Sequence, residues 1–365
     1  MKQEELEEKI LQFAKALIGE RGPPLEAIVP ISSSGALTDK YSITTTGGVR
    51  CLFVKVTSKR RVFEEEYPER SLWKAMLSQR IARDYLLYEA TVRPGAAPVC
   101  EAVALVTLNG IVALPAVLPG TQILEIYRSE PGPTYLGILE NQVHKVKVDS
   151  DDESRMEKIV KAITIVHNLP YRSTSNERGT EDKKSLYDDH IEILFQMLFM
   201  HRKFGAKSTF TATAKRKVVE LLQVVADNLL NESLDTAKRL FKLVGDFNPS
   251  NVMFDGYGNA FIRDQCRFPY GERGIDIGWW WGHFLWLRHA TGNPYYGELN
   301  RLFIEGYQRE RGGLDLPFRM GMALSLGVLT FVKFNPRFRQ EIEPKRGQAF
   351  IEDVIGILEK GSVEL

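Results

Sequence analysis

The chain has 365 residues, which at about 150 residues per domain predicts two domains or two lobes. Hydrophobic residues make up 44% and charged residues 26%, values that exclude a wholly disordered or fibrous chain. Lysine and arginine number 48 against 47 aspartate and glutamate residues, and this balance argues against a dedicated nucleic-acid-binding protein.

Cysteine usage and the apolar runs indicate the compartment. Cys51, Cys100 and Cys266 form no C-x-x-C pair, which disfavours both a structural zinc site and a disulfide framework. No apolar run approaches the roughly 20 residues of a membrane span. The N-terminal stretch lacks the basic, apolar and small-residue order of a signal peptide. We therefore expect a cytoplasmic protein that binds neither nucleic acid nor membranes.

The first third of the chain is predicted to be rich in strands. Hydrophobic periodicity predicts a helix at 3–19, an antiparallel three-strand meander from about 27 to 56 and a long helix at about 69–92. Two further strands, at about 99–107 and 110–117, are joined by an Asn-Gly hairpin turn.

Beyond residue 120 the chain is predicted to be mainly helical. The polar segments 140–153 and 172–184 indicate loops, and one β-rich island lies at 241–264. The predicted helices span 154–168, 185–203, 214–230, 275–290, 296–311, 318–333 and 347–360. The predicted fold class is α+β, with a β-rich N-terminal lobe at 1–118 and a larger, mainly helical C-terminal lobe at 119–365.

The β-rich island contains a pattern suited to phosphoryl transfer. Asp246 and Asn251 stand five residues apart before a predicted hairpin, and the return strand ends at Asp264. Phosphoryl transfer needs a carboxylate that accepts the hydroxyl proton and oxygen ligands for Mg²⁺. Asp and Asn also begin turns without any catalytic role. The combination of all three residues after a β-rich lobe favours the catalytic interpretation.

Three segments resemble the aminoglycoside phosphotransferase and choline-kinase-like family of small-molecule kinases, which share the protein-kinase fold. The family's HGD-x-x-x-x-N loop is similar to Val244–Asn251, although the motif histidine is replaced by Val244. Its IDW-like strand end is similar to Ile262-Arg263-Asp264, where Arg263 replaces an apolar residue. Its D-L-A-like helix start is similar to Ile275-Asp276-Ile277.

The resemblance implies a role for each matched residue. Asp246 would be the catalytic base, and Asn251 and Asp264 would bind Mg²⁺. Asp276 would fix the catalytic loop from the start of the next helix. His167, near the end of a predicted helix, would be a packing residue.

The resemblance also implies an ATP site in the N-terminal lobe. Ser33, Ser34 and Gly35 lie between two predicted strands, where small residues let backbone N–H groups approach phosphates. Lys55, on an otherwise apolar strand, resembles the lysine that contacts the α- and β-phosphates.

Two further parts of the nucleotide site follow from the resemblance. Lys55 would pair with a carboxylate on the long helix, for which Glu89 is our choice and Asp84 and Glu69 are alternatives. The hinge that holds adenine through backbone groups would lie at Leu114 and Ala116.

The acceptor stays open among aminoglycosides, sugars, choline-like amines and amino alcohols. One set of candidates for a cationic acceptor is acidic, although a solvated helix face explains these residues as well: Asp188, Asp189 and Glu192. A second set would form either an aromatic cage for a quaternary ammonium group or, as helical spacing favours, part of the core: Trp279, Trp280, Trp281, Trp286, Tyr295 and Tyr296.

Other functions fit the sequence less well. Only twelve positions separate Asp264 from Asp276, which leaves no room for the long activation segment of a regulated protein kinase. Four retained residues argue against a nucleotide-binding pseudokinase: Lys55, Asp246, Asn251 and Asp264. P-loop and dinucleotide-binding glycine motifs do not occur. We therefore predict an ATP- and Mg²⁺-dependent phosphotransferase whose acceptor is a hydroxyl of a small molecule, with an atypical protein kinase or a nucleotide-binding regulatory module as alternatives.

Overall fold

The structure of the protein, a computed structural model, describes residues 3–18, 24–31, 38–46, 50–57, 100–107, 110–113, 122–128, 133–168, 191, 194, 210–232, 239–254, 257–262, 270–312, 314–334 and 342–364. The chain divides into two compact units, Met1–Pro131 and Gly132–Leu365. The first is built on a sheet and the second on helices, which agrees with the mixed composition of the predicted fold class. The long helix predicted at 69–92 lies outside the described residues.

The described residues of the first unit form one helix and six strands. These are α1 (Gln3–Ile18), β1 (Leu25–Ile31), β2 (Thr38–Thr45), β3 (Arg50–Thr57), β4 (Cys100–Thr107), β5 (Gly110–Ala113) and β6 (Gln122–Arg128). The sheet order is β1-β2-β3-β6-β4-β5 with every pair antiparallel, so the predicted meander and hairpin are confirmed.

Strand β6 is the element of this unit that the sequence analysis missed. It lies between β3 and β4, although it follows both in the chain. It follows the predicted break at 118–120, beyond which the chain was predicted to be mainly helical. The first unit therefore extends to Pro131, whereas the predicted lobe boundary was residue 118.

A small apolar core holds α1 against this sheet. Leu6, Ile10 and Ala14 recur every four residues and so line one face of the helix. They are buried together with four residues of the sheet: Leu25, Tyr41, Ile43 and Val54. Fully burying a leucine or isoleucine side chain stabilises a fold by roughly 1.5–3 kcal/mol, so the amphipathic pattern of α1 explains why it packs here.

The described residues of the second unit form seven helices and two short strand pairs. The helices are α2 (Tyr135–Asn141), α3 (Ser150–Asn168), α4 (Ala212–Glu232), α5 (Arg273–Thr291), α6 (Tyr295–Arg311), α7 (Leu316–Lys333) and α8 (Pro344–Glu359). The strand pairs are β7 (Phe241–Lys242) with β10 (Tyr270–Gly271) and β8 (Val252–Phe254) with β9 (Ala260–Ile262). Of the helix predicted at 185–203, only Ile191 and Leu194 are described, and both are helical.

The predicted bounds of the loop at 140–153 are wrong at both ends, because α2 extends to Asn141 and α3 begins at Ser150. The charged residues that suggested a loop form a helix cap instead. The backbone N–H of Asp152 donates to the carboxylate of Asp149, and the N–H of Asp149 donates back to Asp152. This reciprocal arrangement satisfies N–H groups that the first turn of a helix leaves without partners.

Helices α5 and α7 pack closely in the centre of the second unit. Within the described residues, α7 alone is long and apolar enough to cross a membrane, and 78% of its apolar window is buried inside the protein. Gly274, Gly278 and Gly282 form a stripe on α5 that faces α7. A Cβ at Gly274 would lie 1.9 Å from the backbone oxygen of Phe318, so only glycine permits this approach.

We expect Gly278→Ala to lower the free energy of unfolding by about 3 kcal/mol, because overpacking strains a filled core. The new Cβ would lie 2.4 Å from the backbone oxygen of Met322, which cannot move without shifting α7. Gly356→Ala in α8 is the matched control, since its Cβ would meet nothing within 4 Å. Helix propensity should make that control neutral or about 1 kcal/mol more stable in urea denaturation. Equal stability of the two variants would contradict the close packing.

Candidate active site

The predicted catalytic loop connects β7 to β8 in the second unit. It ends in a single 3₁₀ turn, Pro249–Asn251, and its Gly245 has φ = 78°. A left-handed backbone conformation costs residues with a Cβ about 1–2 kcal/mol, so glycine suits this position. The N–H groups of Val244 and Gly245 point towards Asp276 of α5.

Asp276, in the first turn of α5, holds this loop by its backbone. Its two carboxylate oxygens accept the N–H groups of Val244 and Gly245 at 2.7 Å and 2.8 Å. The side chain is almost completely buried, and a buried carboxylate is stable only where such donors compensate it. The prediction that Asp276 fixes the loop is confirmed.

His167 supports Asp276 from α3. Its Nε2 lies 3.1 Å from the Asp276 carboxylate, and its Nδ1 lies 2.7 Å from the hydroxyl of Tyr307. Burial lowers the pKa of His167, so the ring is neutral. Because a carboxylate only accepts, Nε2 carries the proton and Nδ1 accepts from the tyrosine hydroxyl. His167 is therefore a structural residue, as predicted.

The carboxylate of Asp246 is held by donors from the loop and from α5. Its Oδ1 accepts the indole N–H of Trp279 at 2.9 Å and the side-chain N–H of Asn248 at 3.0 Å. Asn248 also accepts the backbone N–H of Ser250 at 2.9 Å, which closes the following turn. Asp246 is half-buried, so its carboxylate retains some access to solvent.

Asn251 lies next to Asp246 and has the atom that a metal would need. Its side-chain N–H donates to the backbone oxygen of Asp246 at 2.8 Å. The side-chain oxygen is thus the atom that a cation would contact, and Mg²⁺ prefers oxygen ligands. The chemistry of Asn251 fits its predicted role.

Asp264, the second predicted metal ligand, lies outside the described residues. The return strand β9 is described up to Ile262, which pairs with Val252, the neighbour of Asn251. No cluster of three or more His, Cys, Asp or Glu side chains suited to a metal lies within the described ranges. Metal binding by Asn251 and Asp264 therefore stays a prediction.

Of the predicted nucleotide-binding residues, only Lys55 is described, by its backbone. On β3 it lies opposite Lys40 of β2 and opposite Glu125 of β6. Glu125 is not among the predicted residues, because strand β6 was not predicted. The other predicted residues lie outside the described part of the chain: Ser33, Ser34, Gly35, Glu69, Asp84, Glu89, Leu114 and Ala116.

The acceptor candidates are only partly described. Asp188, Asp189 and Glu192 lie outside the described residues. Five of the six aromatic candidates are at most 4% exposed, which confirms that they belong to the core: Trp279, Trp280, Trp286, Tyr295 and Tyr296.

A buried lysine lies on the α7 side of Asp246. Lys333 is 8% exposed, and its Nζ lies 3.1 Å from Nδ1 of His283. Burial lowers the pKa of Lys333 to about 7, against the opposing attraction of Asp246. Burial also lowers the pKa of His283, so its ring is neutral and its Nδ1 accepts from the lysine.

Lys333→Met should stabilise the protein at neutral pH. An unfolded lysine keeps its ordinary pKa of 10.5, so between about pH 7 and 10.5 the unfolded state binds more protons than the folded state. Wild-type stability should therefore rise with pH across this window, and the variant should lose that rise. We expect a gain of roughly 2–4 kcal/mol at pH 7 that shrinks towards pH 10, measured by urea denaturation. A loss of stability that does not depend on pH would contradict this prediction.

Similarity to known proteins lies in the fold. No protein-family model and no curated protein sequence matches the chain. The gentamicin complex of APH(2'')-IIa has a TM-score of 0.51 and 13% sequence identity, over 99% of this chain and 96% of that one. A thermostable mutant of the aminoglycoside phosphotransferase APH(4)-Ia has a TM-score of 0.50 and 11% identity, over 98% and 100%. The chain therefore has the fold of aminoglycoside phosphotransferases, and the predicted resemblance is confirmed for the fold.

Proposed function

We propose that this protein is an ATP- and Mg²⁺-dependent phosphotransferase that acts on a hydroxyl group of a small molecule. The observation that supports this most strongly is the loop around Asp246. Its backbone is anchored by Asp276, its carboxylate is oriented by two N–H donors, and Asn251 is bonded beside it. Proteins with the same fold include aminoglycoside phosphotransferases.

In the proposed reaction Asp246 acts as the base. Its carboxylate accepts the proton of the acceptor hydroxyl, so that the oxygen can attack the γ-phosphorus. Bound Mg²⁺ would neutralise charge that develops on the phosphate oxygens. Asn251 and Asp264 would hold the metal through their side-chain oxygens.

We assign nucleotide binding to the first unit. Lys55 would contact the α- and β-phosphates, and Glu89 would pair with it, with Asp84 and Glu69 as alternatives. Glu125 is a further candidate for this pair, because it lies directly opposite Lys55 in the sheet and opposite charges across a strand pair attract.

The remaining contacts to ATP would come from backbone groups. The N–H groups of Ser33, Ser34 and Gly35 would cover the phosphates, and those of Leu114 and Ala116 would bind adenine. Three dispersed cysteines agree with a reducing compartment, so we expect the enzyme in the cytoplasm.

The proposal is tested by a coupled assay of ADP release from wild-type protein with ATP or GTP and Mg²⁺. Aminoglycosides, hexoses, choline, ethanolamine and amino alcohols would each be added as acceptors. We expect at least one class to raise ADP release above the rate in water, with mass spectrometry showing one added phosphate on the acceptor. Nucleotide binding without turnover on any acceptor would instead identify a regulatory module, and phosphorylation of added proteins alone would identify a protein kinase.

A further inference from the structure

Two neighbouring tryptophans on α5 differ in the hydrogen bonding of their indole N–H groups. Trp279 donates its indole N–H to Oδ1 of Asp246 at 2.9 Å. The indole nitrogen of Trp280 is buried and has no hydrogen-bond partner among the described residues. Both rings belong to the apolar core, so their burial alone does not explain why one N–H reaches the loop.

The contact of Trp279 belongs to a larger attachment of α5 to the loop. Asp276 and Trp279 stand three residues apart, so they lie on the same face of the helix. Asp276 holds the backbone just before Asp246, and Trp279 holds the side chain of Asp246 itself. One helix face thus fixes both the path of the loop and the orientation of the carboxylate.

The two N–H donors meet on one carboxylate oxygen. Oδ1 of Asp246 accepts from Trp279 and also from Asn248. Both bonds limit rotation of the carboxylate, and both withdraw electron density from Oδ1. Hydrogen bonds to a charged acceptor are shorter and stronger than those to a neutral one, so this orientation is favoured over others.

We infer that Trp279 is a positioning residue that orients the carboxylate of Asp246 to receive the proton of the acceptor. This inference rests on the proposed phosphotransferase function. In that reaction the O–H proton passes to the Asp246 carboxylate while the acceptor oxygen bonds to the γ-phosphorus. The bond between that phosphorus and the oxygen of the ADP leaving group breaks, and the proton later returns to solvent.

The test compares Trp279→Phe with Trp280→Phe. Phenylalanine keeps an aromatic ring in each place but removes the indole N–H. We expect Trp279→Phe to lower kcat roughly 10- to 100-fold, with the KM for ATP unchanged, because one hydrogen bond to a charged group is lost. Trp280→Phe should keep kcat within about twofold, because its N–H has no partner in the described part of the chain and a ring remains against Phe247. Unchanged kcat in Trp279→Phe, or an equal loss in Trp280→Phe, would overturn the inference.

A second measurement does not depend on turnover. In ¹⁵N NMR spectra the indole signal of Trp279 is the one missing from Trp279→Phe, and we expect Asp246→Ala to shift it markedly. If wild-type protein shows no turnover, the proposed function fails, and a shifted signal would still support the contact. If Asp246→Ala leaves the indole signal of Trp279 unshifted, the hydrogen bond between Trp279 and Asp246 is contradicted. The inference then fails, whatever the activity.

Discussion

Asp246→Asn is expected to lower kcat for phosphoryl transfer by about 10²–10⁴-fold while the protein stays folded. Asparagine has the same shape and keeps a side-chain oxygen that can accept from Trp279 and Asn248. The neutral amide, however, cannot take up a proton as a carboxylate does. The loss should therefore appear in the chemical step, with the KM for ATP little changed. ADP release on the best acceptor is the measurement.

Asp227→Asn is the matched control for this prediction. Asp227 is exposed on α4, and its substitution removes the same charge from the chain. We expect wild-type kcat and, as for most surface changes, stability within about 0.5 kcal/mol. If Asp246→Asn kept wild-type turnover with a true acceptor, Asp246 would not be the base.

Asp276→Ala is expected to lower the free energy of unfolding by about 3–5 kcal/mol. The substitution removes the acceptor from the N–H groups of Val244 and Gly245 and from Nε2 of His167. All three lie in a buried region where water does not replace the carboxylate. Urea denaturation measures the loss, and the freed loop should also reduce kcat.

Asp227→Ala provides the comparison for this second variant. It removes an exposed carboxylate whose described contact is with Gln223 on the same helix, so the free energy of unfolding should change by less than about 1 kcal/mol. If Asp276→Ala were as stable as Asp227→Ala, the carboxylate would not anchor the loop.

Local patterns predicted most of the described helices and strands. The four-residue spacing of Leu6, Ile10 and Ala14 marks a helix because those side chains fall on one face. The Asn-Gly turn at 109–110 similarly predicted the β4–β5 hairpin. The wrong predictions also come from judging residues by their local pattern alone. Asp149 and Asp152 were predicted to lie in a loop. Composition does not reveal that the carboxylate of each accepts the backbone N–H of the other across the first turn of α3.

Chemical motifs could be predicted where they are contiguous. Asp246, Asn251 and Asp276 were identified from spacing and family resemblance, and the structure joins Asp276 to the backbone of the loop. No sequence pattern distinguished Trp279 from Trp280. Both are aromatic residues of one helix, and the difference depends on which indole N–H points towards Asp246.

Residue spacing along the chain was enough to predict the mixed α+β class, the order of most elements and the family that the central loop resembles. Residue spacing did not predict that β6 enters the middle of the sheet and brings Glu125 opposite Lys55, whereas the folded chain shows both. The folded chain also shows that α5 is hydrogen-bonded to the loop through Asp276 and Trp279, and that Lys333 is buried beside His283. These contacts join residues up to 70 positions apart, the separation of Lys55 and Glu125, so their geometry arises from strand pairing and helix packing rather than from local sequence.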